Sequence, residues 1–477
     1  MILLQETRVI DRSLEDCFRY LADFSTIEQW DPGVYRAEKV TPGAPRVGSE
    51  FDLILNSAGQ RVPMRYRLTE MQSSRVLVLE GNGAAVHALD TIRFEPHGEN
   101  QTRIDYTAEL TFKGVGARFE FGLRPWLNRV GRAAVDGMKR CLEIEDGFAE
   151  EGMKDRLKAK LVLPAAWDFT DQGYLSMPNK GLSEYMDGKT VVITGPTSGL
   201  GFAAACELSR LGAKLALVGR DRPRLDEAAR KIRDYSGAKP GTIRLFEAEL
   251  SLKSELERVG KEIAAACPKI DALIHNAGAL FQSRVETVEG HERTFAIHLL
   301  APWMLTEKLK PQLQAARGRL ILVSSGGMYT QRLRVDDLES REVVFDGVKA
   351  YARMKRAQVL LGEYWAKAFS STGVSVFTMH PGWAATPGVA QSLPTFERVL
   401  RGRLRDARMG ADTIVWLASH AGLQEGSGRF WLDRKPRPTE LLWGTRGAGN
   451  DTQKLLDYLS ICAGPAFASS SGVESES

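Results

Sequence analysis

The segment TGPTSGLG, Thr194–Gly201, decides the fold of the larger part of the chain. It follows the apolar, β-branched run KTVVI and precedes FAAACELSRLG, whose apolar residues are typical of a packed helix. A glycine-rich turn between strand and helix lets backbone N–H groups approach a pyrophosphate, and the helix N-terminus favours its negative charge. Gly195 allows the tight turn, Gly199 the close approach, and Gly201 the packing of helix on strand. The segment therefore predicts a dinucleotide-binding site.

The end of the next apolar run, LALVGRD, bears on the choice of cofactor. Dinucleotide sites that prefer NAD usually place a carboxylate there for the ribose hydroxyls. This chain has Gly219 followed by Arg220, and a guanidinium can form two hydrogen bonds to a 2′-phosphate. We therefore expect NADP(H). The alternative is that Arg220 is a surface residue and Asp221 holds the ribose.

Two parts of the chain differ in their sequence pattern. From residue 188 onward, short apolar runs alternate with helical stretches, which predicts a doubly wound parallel sheet in a Rossmann-type α/β fold. Residues 1–147 show period-two alternation and end in a long segment with helical apolar spacing, which predicts an α+β domain in which one helix closes an antiparallel sheet. We assign 148–187 to a connector, 188–463 to the cofactor-binding domain and 464–477 to a disordered tail.

Residues 188–440 resemble the short-chain dehydrogenase/reductase family through a series of ordered motifs. The glycine turn is followed by HNAG (275–278), SSGG (324–327), YARMK (351–355) and HPGWAATPGV (380–389). In that family the segment that corresponds to HNAG steadies the central strand beside the cofactor. The segment that corresponds to HPGWAATPGV lies over the nicotinamide. The resemblance implies that the cofactor is bound by Gly195, Thr197, Ser198, Gly199, Leu200, Gly201, Arg220, Asp221, Glu249, Leu250, Asn276, Ala277, Gly278, Tyr351, Lys355, Pro381, Gly382, Trp383 and Thr386.

The YARMK motif places a tyrosine and a lysine one helical turn apart. Hydride transfer to a carbonyl leaves charge on the oxygen, which a positioned acid must neutralise. The unperturbed pKa of tyrosine is about 10, and the charge of Lys355 on the same helix face is expected to favour the phenolate. Tyr351 is thus the expected proton donor in reduction and base in oxidation, while Lys355 tunes it and holds the nicotinamide ribose. The resemblance implies that Ser325 binds the carbonyl oxygen, with Ser324 as the alternative.

Two features depart from the family pattern. Tyr351 follows Ser325 by 26 residues, about twice the common spacing, and the intervening RLRVDDLESREVVFDG is expected to be a polar surface insert. Tyr329 has no lysine four residues later and is expected to line the pocket.

His298 stands where the family usually has a catalytic asparagine that anchors a proton-relay water. Histidine can donate and accept through its two nitrogens, so His298 either keeps the relay or is a packed helix residue.

Residues 1–147 resemble the START-like superfamily, which includes polyketide cyclases and lipid-transfer domains with a helix-grip fold. The resemblance is carried by VIDRSLEDCFRYLADFSTIEQWDPGV, by VGSEF and by the closing helix predicted over 125–146. It implies an apolar cavity that holds a hydrophobic ligand. No acid–base pair is evident in this domain, and Asp31 beside Trp30 is either functional or a helix-end cap. The domain is expected to hold or present an apolar substrate, or else only to stabilise or dimerise the protein.

Composition and motif spacing argue against several classes of function. A net charge of +4, dispersed along the chain, does not indicate nucleic-acid binding. The seven histidines lack metal-binding spacings, so we expect no metal site. Five well-separated cysteines, the lack of a secretory signal and the lack of an 18-residue apolar run predict a cytoplasmic protein without a transmembrane segment.

FERVLRGRLRDAR, residues 396–408, carries five arginines close after the Pro-Gly segment. It is either a solvated face of the lid over the substrate or a surface for peripheral contact with a membrane or an anionic lipid. The family resemblance also implies homo-oligomers through the helix that carries Tyr351, which the fused domain and the insert would oppose.

The sequence as a whole favours an NADP-dependent oxidoreductase that acts on the CH–OH or C=O group of an apolar, lipid-like small molecule. One alternative is a lipid-binding or NADP-sensing protein with little turnover. Another is a polyketide cyclase fused to a ketoreductase, which would need acid–base residues in the first domain.

Overall fold

The structure, a computed structural model, describes residues 1–57, 60–113, 120–143, 148, 167–177, 184–385, 398, 400, 402–440 and 450–465. The chain divides into two compact units, one made mainly of residues up to about 145 and the other mainly of the residues beyond. Most of the predicted connector and tail lies outside the described residues, so the predicted domain limits stay predictions. No helix within the described ranges is long and apolar enough to cross a membrane.

An antiparallel sheet forms the first unit. Its seven described strands are Ile2–Ile10 (β1), Val34–Lys39 (β2), Glu50–Ser57 (β3), Gln60–Gln72 (β4), Val76–Gly83 (β5), Val86–Pro96 (β6) and Thr102–Phe112 (β7). They pair in the order β1-β7-β6-β5-β4-β3-β2. The alternation in the sequence separates the two faces: in β4, Met64, Tyr66 and Leu68 are buried while Arg65 and Arg67 are exposed.

The described helices of this unit are Leu14–Ala22 (α1), Ile27–Trp30 (α2) and Glu120–Leu142 (α3). Helix α3 packs against β1 and α2, and its buried residues include Ala134, Met138 and Cys141, which share one face at helical spacing. A Cβ atom on Gly137 would lie 2.0 Å from the main-chain oxygen of Trp30, so this close approach requires glycine. The predicted closing helix is confirmed.

A mainly parallel sheet forms the second unit. Its eight described strands are Thr190–Thr194 (β8), Lys214–Gly219 (β9), Ile243–Glu247 (β10), Ala272–His275 (β11), Arg319–Val323 (β12), Ser375–Met379 (β13), Phe430–Leu432 (β14) and Lys435–Arg437 (β15). Their order is β10-β9-β8-β11-β12-β13-β14-β15, with β15 antiparallel to β14. The chain moves outward from β8 to β10 and then returns to β11, so β8 and β11 flank the point at which the strand order reverses. Ligands of such sheets bind at the carboxyl ends of the strands at this point.

Helices cover both faces of this sheet. They are Asp171–Leu175 (α4), Gly199–Arg210 (α5), Arg222–Ser236 (α6), Lys253–Ala266 (α7), Arg293–Phe295 (α8), Ala301–Ala316 (α9), Gly347–Ala368 (α10), Ala407–Ser419 (α11) and Asp451–Ala463 (α12). A π-helical turn, Ala296–Leu300, joins α8 to α9. Helices α7, α9, α10 and α12 share one apolar core with Val192 of β8, while α5 packs against α11. The predicted α/β doubly wound fold is confirmed.

The insert between Ser325 and Tyr351 is not the polar surface segment that the sequence predicts. Leu333, Val335 and Leu338 are buried in the main apolar core. Glu339 is also buried and accepts hydrogen bonds from the Tyr458 hydroxyl over 2.5 Å and from the Glu292 main-chain nitrogen over 2.7 Å. The prediction was wrong for this buried part, in which Glu339 finds its partners on α12 and at the start of α8, while Arg332, Arg334 and Asp336 are exposed as predicted.

Candidate active site

The glycine turn adopts the conformation that its composition predicts. Gly195 has a φ of +67°, and a Cβ atom there would lie 2.9 Å from the Cα atom of Ala277. A Cβ atom on Gly201 would lie 2.3 Å from Nδ2 of Asn276. That amide nitrogen donates to the main-chain oxygens of Thr194 and Gly195 over 3.0 and 3.1 Å. Asn276 thus fixes the turn, and the glycines leave a cradle of backbone that fits a pyrophosphate.

The end of β9 presents an exposed guanidinium and a carboxylate that caps a helix. The side chain of Arg220 is 60% exposed and lies 3.9 Å from the Glu249 carboxylate. Asp221 Oδ1 instead accepts a hydrogen bond of 2.9 Å from the main-chain nitrogen of Arg224 and so caps the first turn of α6. Of the two residues, Arg220 is therefore the one that is available to a ribose substituent.

The two candidate serines differ in their contacts. Ser324 is buried, and its hydroxyl donates to the main-chain oxygen of Lys355 over 2.8 Å. Ser325 Oγ accepts from the main-chain nitrogen of Gly327 over 3.2 Å and forms a hydrogen bond with Tyr351. The geometry favours Ser325 as the serine that faces the reacting groups, because Ser324 is held by the backbone of α10.

Tyr351 and Lys355 lie on one face of α10 at the end of β12. Lys355 Nζ is 5.5 Å from the centre of the Tyr351 ring and donates to the main-chain oxygen of Val323 over 2.8 Å. Burial raises the pKa of Tyr351, and the hydrogen bond with Ser325 only partly offsets this. Burial also lowers the pKa of Lys355 to about 7. Burial thus acts on the pKa of Tyr351 in the direction opposite to the tuning expected from Lys355, and that tuning stays a prediction.

His298 lies in the π-helical turn beside Tyr351, with the two rings 5.1 Å apart and perpendicular. Its Nε2 atom donates to the main-chain oxygen of Ala279 over 2.8 Å. A Cβ atom on Gly278 would lie 2.4 Å from the imidazole, so this glycine makes room for the ring. Burial, together with the charge of Lys355, holds the pKa of His298 well below its usual value. The imidazole is thus a neutral, packed group that is hydrogen-bonded to Ala279 and not to Lys355.

Gln358 connects His298 to Lys355, and the sequence reasoning missed it. Its Nε2 atom donates to the main-chain oxygen of His298 over 2.8 Å, and its Oε1 atom accepts from Lys355 Nζ over 3.2 Å. Gln358 is 1% exposed. The side-chain amide therefore bridges the two groups between which the expected relay water would lie. The signal in the sequence is its position three residues after Lys355, on the same helix face.

An aromatic wall lines the site beside the Pro-Gly segment. Phe169, from the predicted connector, contacts His380 with a ring separation of 4.5 Å and Trp383 with one of 5.5 Å. Tyr329 stacks on Phe169 at 6.3 Å and is buried, and its place in the pocket lining stays a prediction. The sequence reasoning missed Phe169 because a connector shows no periodicity that would mark it as buried.

Arg405 holds this wall in place and is a buried member of the five arginines of 396–408. Arg398 and Arg403 are exposed and Arg401 lies outside the described residues, so both interpretations of that segment stay open. It is 1% exposed, and its guanidinium forms two hydrogen bonds with Asp433, of 2.5 and 2.8 Å. It also donates to the main-chain oxygens of Asp168 and Thr170. Gly382 has a φ of +73°, and a Cβ atom there would collide with this guanidinium. Arg405 is thus buried and paired, and it cannot bind a membrane or an anionic lipid.

The other predicted cofactor residues follow the carboxyl ends of the strands. Thr197 and Leu200 are half-buried in the glycine turn, Ser198 is exposed at the start of α5, and Leu250 is buried after β10. Pro381 is half-buried after β13. Thr386 lies outside the described residues.

Among the described residues, one group of three side chains that could bind a metal comes together in the second unit. Ligand atoms of His291, Glu339 and Cys462 lie within 4.8 Å of one another. Both carboxylate oxygens of Glu339 already accept hydrogen bonds, and burial raises the pKa of the Cys462 thiol to about 11. A protonated thiol and an occupied carboxylate are poor ligands, so we assign no metal there.

Comparison with known proteins supports a two-part organisation. The family described as short chain dehydrogenase matches residues 189–395. The family described as polyketide cyclase/dehydrase and lipid transport matches residues 1–143.

Several curated proteins are similar to this chain, and three of them are described here. Dehydrogenase/reductase SDR family member 12 of Bos taurus is 37% identical, covering 62% of this chain and 96% of that protein. A Streptomyces sp. (strain C5) protein provisionally named daunorubicin C-13 ketoreductase is 35% identical, covering 53% and 86%. Retinol dehydrogenase 14 of Mus musculus is 33% identical, covering 52% and 79%. With nearly all of the first relative covered, this chain belongs to the short-chain dehydrogenase/reductase family.

Proposed function

We propose that this protein is an NADP-dependent oxidoreductase that transfers a hydride between nicotinamide and the carbonyl or alcohol group of an apolar, lipid-like substrate. The observation that carries the proposal is the arrangement at the end of β12. The Tyr351 hydroxyl is hydrogen-bonded to Ser325, and Lys355 Nζ lies 5.5 Å from the Tyr351 ring. An acid, a hydrogen-bonding hydroxyl and a cation together are what the reduction of a carbonyl requires.

The residues of the glycine turn and of β9 fit NADP(H). The cradle at Gly195 and Gly201 suits a pyrophosphate, and the exposed guanidinium of Arg220 suits a 2′-phosphate. Asp221 is engaged as a helix cap, which disfavours the alternative in which it holds the ribose hydroxyls. When bound, the cofactor supplies or receives the hydride.

In reduction, Ser325 Oγ and Tyr351 Oη hold the carbonyl oxygen, and Tyr351 Oη gives it a proton. In oxidation, the same hydroxyl takes the proton of the alcohol. Lys355 keeps a positive charge near this oxygen when it is protonated, and Val323 and Gln358 hold its Nζ atom in position. Gln358 is a positioning residue, because it acts on Lys355 and not on the substrate.

The aromatic wall supports an apolar substrate. Phe169, Tyr329 and Trp383 present rings to one another beside the catalytic groups, and such walls exclude water and favour apolar ligands. Two of the relatives carry the names of retinol and daunorubicin enzymes. The first domain would hold or present a hydrophobic ligand of the same kind.

Two other functions have a specific observation in their favour. A lipid-binding or NADP-sensing protein with little turnover is favoured by the packed His298, whose imidazole does not contact Lys355. A cyclase fused to a ketoreductase is favoured by the polyketide-cyclase family match over residues 1–143.

All five cysteines are free thiols, which supports a cytoplasmic location.

Oxidation of NADPH by the purified full-length protein, measured against apolar aldehydes and ketones, tests the proposal. We expect turnover with NADPH and at least tenfold weaker use of NADH, since one phosphate–guanidinium pair contributes about that factor. A folded protein that binds NADPH but reduces no member of the panel would favour the binding or sensing function.

A further inference from the structure

The interior of the first unit contains a group of four polar side chains. Asp31 follows α2, Tyr66 lies on β4, Asp90 on β6 and Tyr106 on β7; we call them the interior carboxyl cluster. The Tyr106 hydroxyl donates to Asp90 Oδ1 over 2.8 Å, and the Tyr66 hydroxyl interacts with the same carboxyl group. Asp31 is near enough to raise the pKa of Asp90 and of both tyrosines. The sequence analysis found no acid–base pair in this domain and did not single out Asp90, which the structure places beside two tyrosines.

One oxygen of the cluster has no partner. Asp90 is 3% exposed, and its Oδ2 atom accepts no hydrogen bond from any described residue. Burial raises the pKa of Asp90 to about 6 and that of Asp31 to about 6. An unsatisfied buried carboxyl group destabilises a fold, so a purely structural role does not explain it. Asp31 differs, because its Oδ1 atom accepts from the main-chain nitrogen of Gly33 over 2.7 Å and so closes a turn after α2.

Aromatic rings surround the cluster. Phe24 contacts Tyr66 with ring centres 5.0 Å apart, and Trp30 contacts Tyr106 at 6.1 Å. The side chains of Asp31 and Tyr106 are partly accessible to a solvent-sized probe. Desolvation is nevertheless the main cause that raises the pKa of each of them. Side chains that line an enclosed space combine these two properties. An arrangement of aromatic rings with a hydrogen-bond acceptor at one end fits a flat molecule carrying one hydroxyl group.

We propose that the interior carboxyl cluster is a ligand site in which a carboxylate oxygen accepts a hydrogen bond from the hydroxyl group of an aromatic alcohol. The ligand class is thereby narrowed from any hydrophobic molecule to phenols and related hydroxylated ring systems. All residues of the site lie in the first unit, so ligand binding there can be tested independently of hydride transfer in the second unit.

A matched pair of probes tests this site in the full-length protein. 2-Naphthol and 2-methoxynaphthalene have similar ring systems, but only the first can donate a hydrogen bond. Their dissociation constants are measured by fluorescence for the wild type, for Asp90→Asn and for Glu95→Gln. Glu95 lies on the same strand as Asp90 and is exposed, so its variant controls for the loss of one negative charge.

We expect the wild type and Glu95→Gln to bind 2-naphthol about tenfold more tightly than its methyl ether, as a charge-assisted hydrogen bond allows. Asp90→Asn should reduce this preference to less than about threefold. Tyr106→Phe keeps the carboxyl group but removes its partner, so this variant should retain the preference. Equal affinity for the two probes, no binding of either probe, or a preference that survives Asp90→Asn would overturn the proposal.

Discussion

Lys355 Nζ lies 3.2 Å from Oε1 of Gln358, whose amide nitrogen in turn donates to the main-chain oxygen of His298 over 2.8 Å. The side chain of Gln358 thus ties the catalytic lysine to the π-helical turn. We expect Gln358→Leu to lower kcat about tenfold with little change in KM for the carbonyl substrate, because it removes a hydrogen bond that positions Lys355 beside the proton donor. Steady-state kinetics at saturating NADPH check this.

A second variant at this position separates positioning from simple packing. Gln358→Glu places a carboxylate beside Lys355, whose pKa burial lowers to about 7. An adjacent negative charge favours the ammonium form, so Lys355 would keep its proton to higher pH. We expect the pH profile of kcat to move toward higher pH in this variant. A loss of activity at every pH with an unchanged profile would indicate that Gln358 only stabilises the fold.

The exposed Arg220 should set the preference between cofactors. Arg220→Leu removes the proposed partner of the 2′-phosphate, and we expect KM for NADPH to rise about tenfold or more while KM for NADH changes little. Arg222→Leu is the matched control, because Arg222 is paired with Asp226 on the outside of α6. Equal effects of the Arg220 variant on the two cofactors would contradict its assignment.

Alanine variants of the two serines should have different effects, one on catalysis and the other on the stability of the fold. Ser325→Ala removes the hydroxyl that is hydrogen-bonded to Tyr351, and we expect kcat to fall about a hundredfold. Ser324→Ala removes a buried hydrogen bond to the main chain of α10, and we expect a loss of about 1 kcal/mol in unfolding free energy with most activity kept. Kinetics and denaturant unfolding of both variants decide the assignment, and the opposite pattern would make Ser324 the catalytic serine.

Burial of the Asp90 carboxylate in the interior carboxyl cluster should make the free energy of unfolding depend on pH. In the folded protein the pKa of Asp90 is raised to about 6, so the folded state binds more protons than the unfolded state between about pH 4 and 6, and its stability falls as pH rises through that range. Asp90→Asn removes this loss. We expect the variant to be about 1–3 kcal/mol more stable than the wild type above pH 6, with the difference fading toward pH 4.

Denaturant unfolding of the full-length protein at pH 4, 5, 6 and 7.5 measures this difference. Glu95→Gln, on the exposed end of the same strand, is the control and should show no such trend. A stability difference for Asp90→Asn that does not change with pH would mean that Asp90 is not a buried titrating group.

Local sequence was enough to predict the motifs that a short segment specifies. TGPTSGLG predicts its own turn, because the φ of Gly195 and the contacts of Gly201 depend on glycine. YARMK predicts one helix face, since residues four apart on a helix are neighbours. The register of β6 could also have revealed Asp90, because Ala88, Asp90 and Ile92 alternate toward the same buried face.

Features that depend on distant partners could not be predicted in this way. Phe169 and Glu339 lie in segments without apolar periodicity, and each is buried by residues far away in sequence. Gln358 resembles any polar helix residue until the main-chain oxygen of His298 is placed beside it. The raised pKa of Tyr351 likewise depends on burial by the whole fold, which spacing does not reveal.

The central claim is that Tyr351 is the acid of a carbonyl reduction. The most direct measurement compares NADPH oxidation by the wild type, Tyr351→Phe and Tyr329→Phe with the best apolar aldehyde or ketone. Tyr329 is the control, since it lies in the aromatic wall and its hydroxyl donates to the main-chain oxygen of Pro438 over 2.8 Å. We predict that Tyr351→Phe lowers kcat/KM by about 10²–10⁴-fold while the variant still binds NADPH, and that Tyr329→Phe stays within about tenfold of the wild type. Turnover that survives Tyr351→Phe would contradict the account.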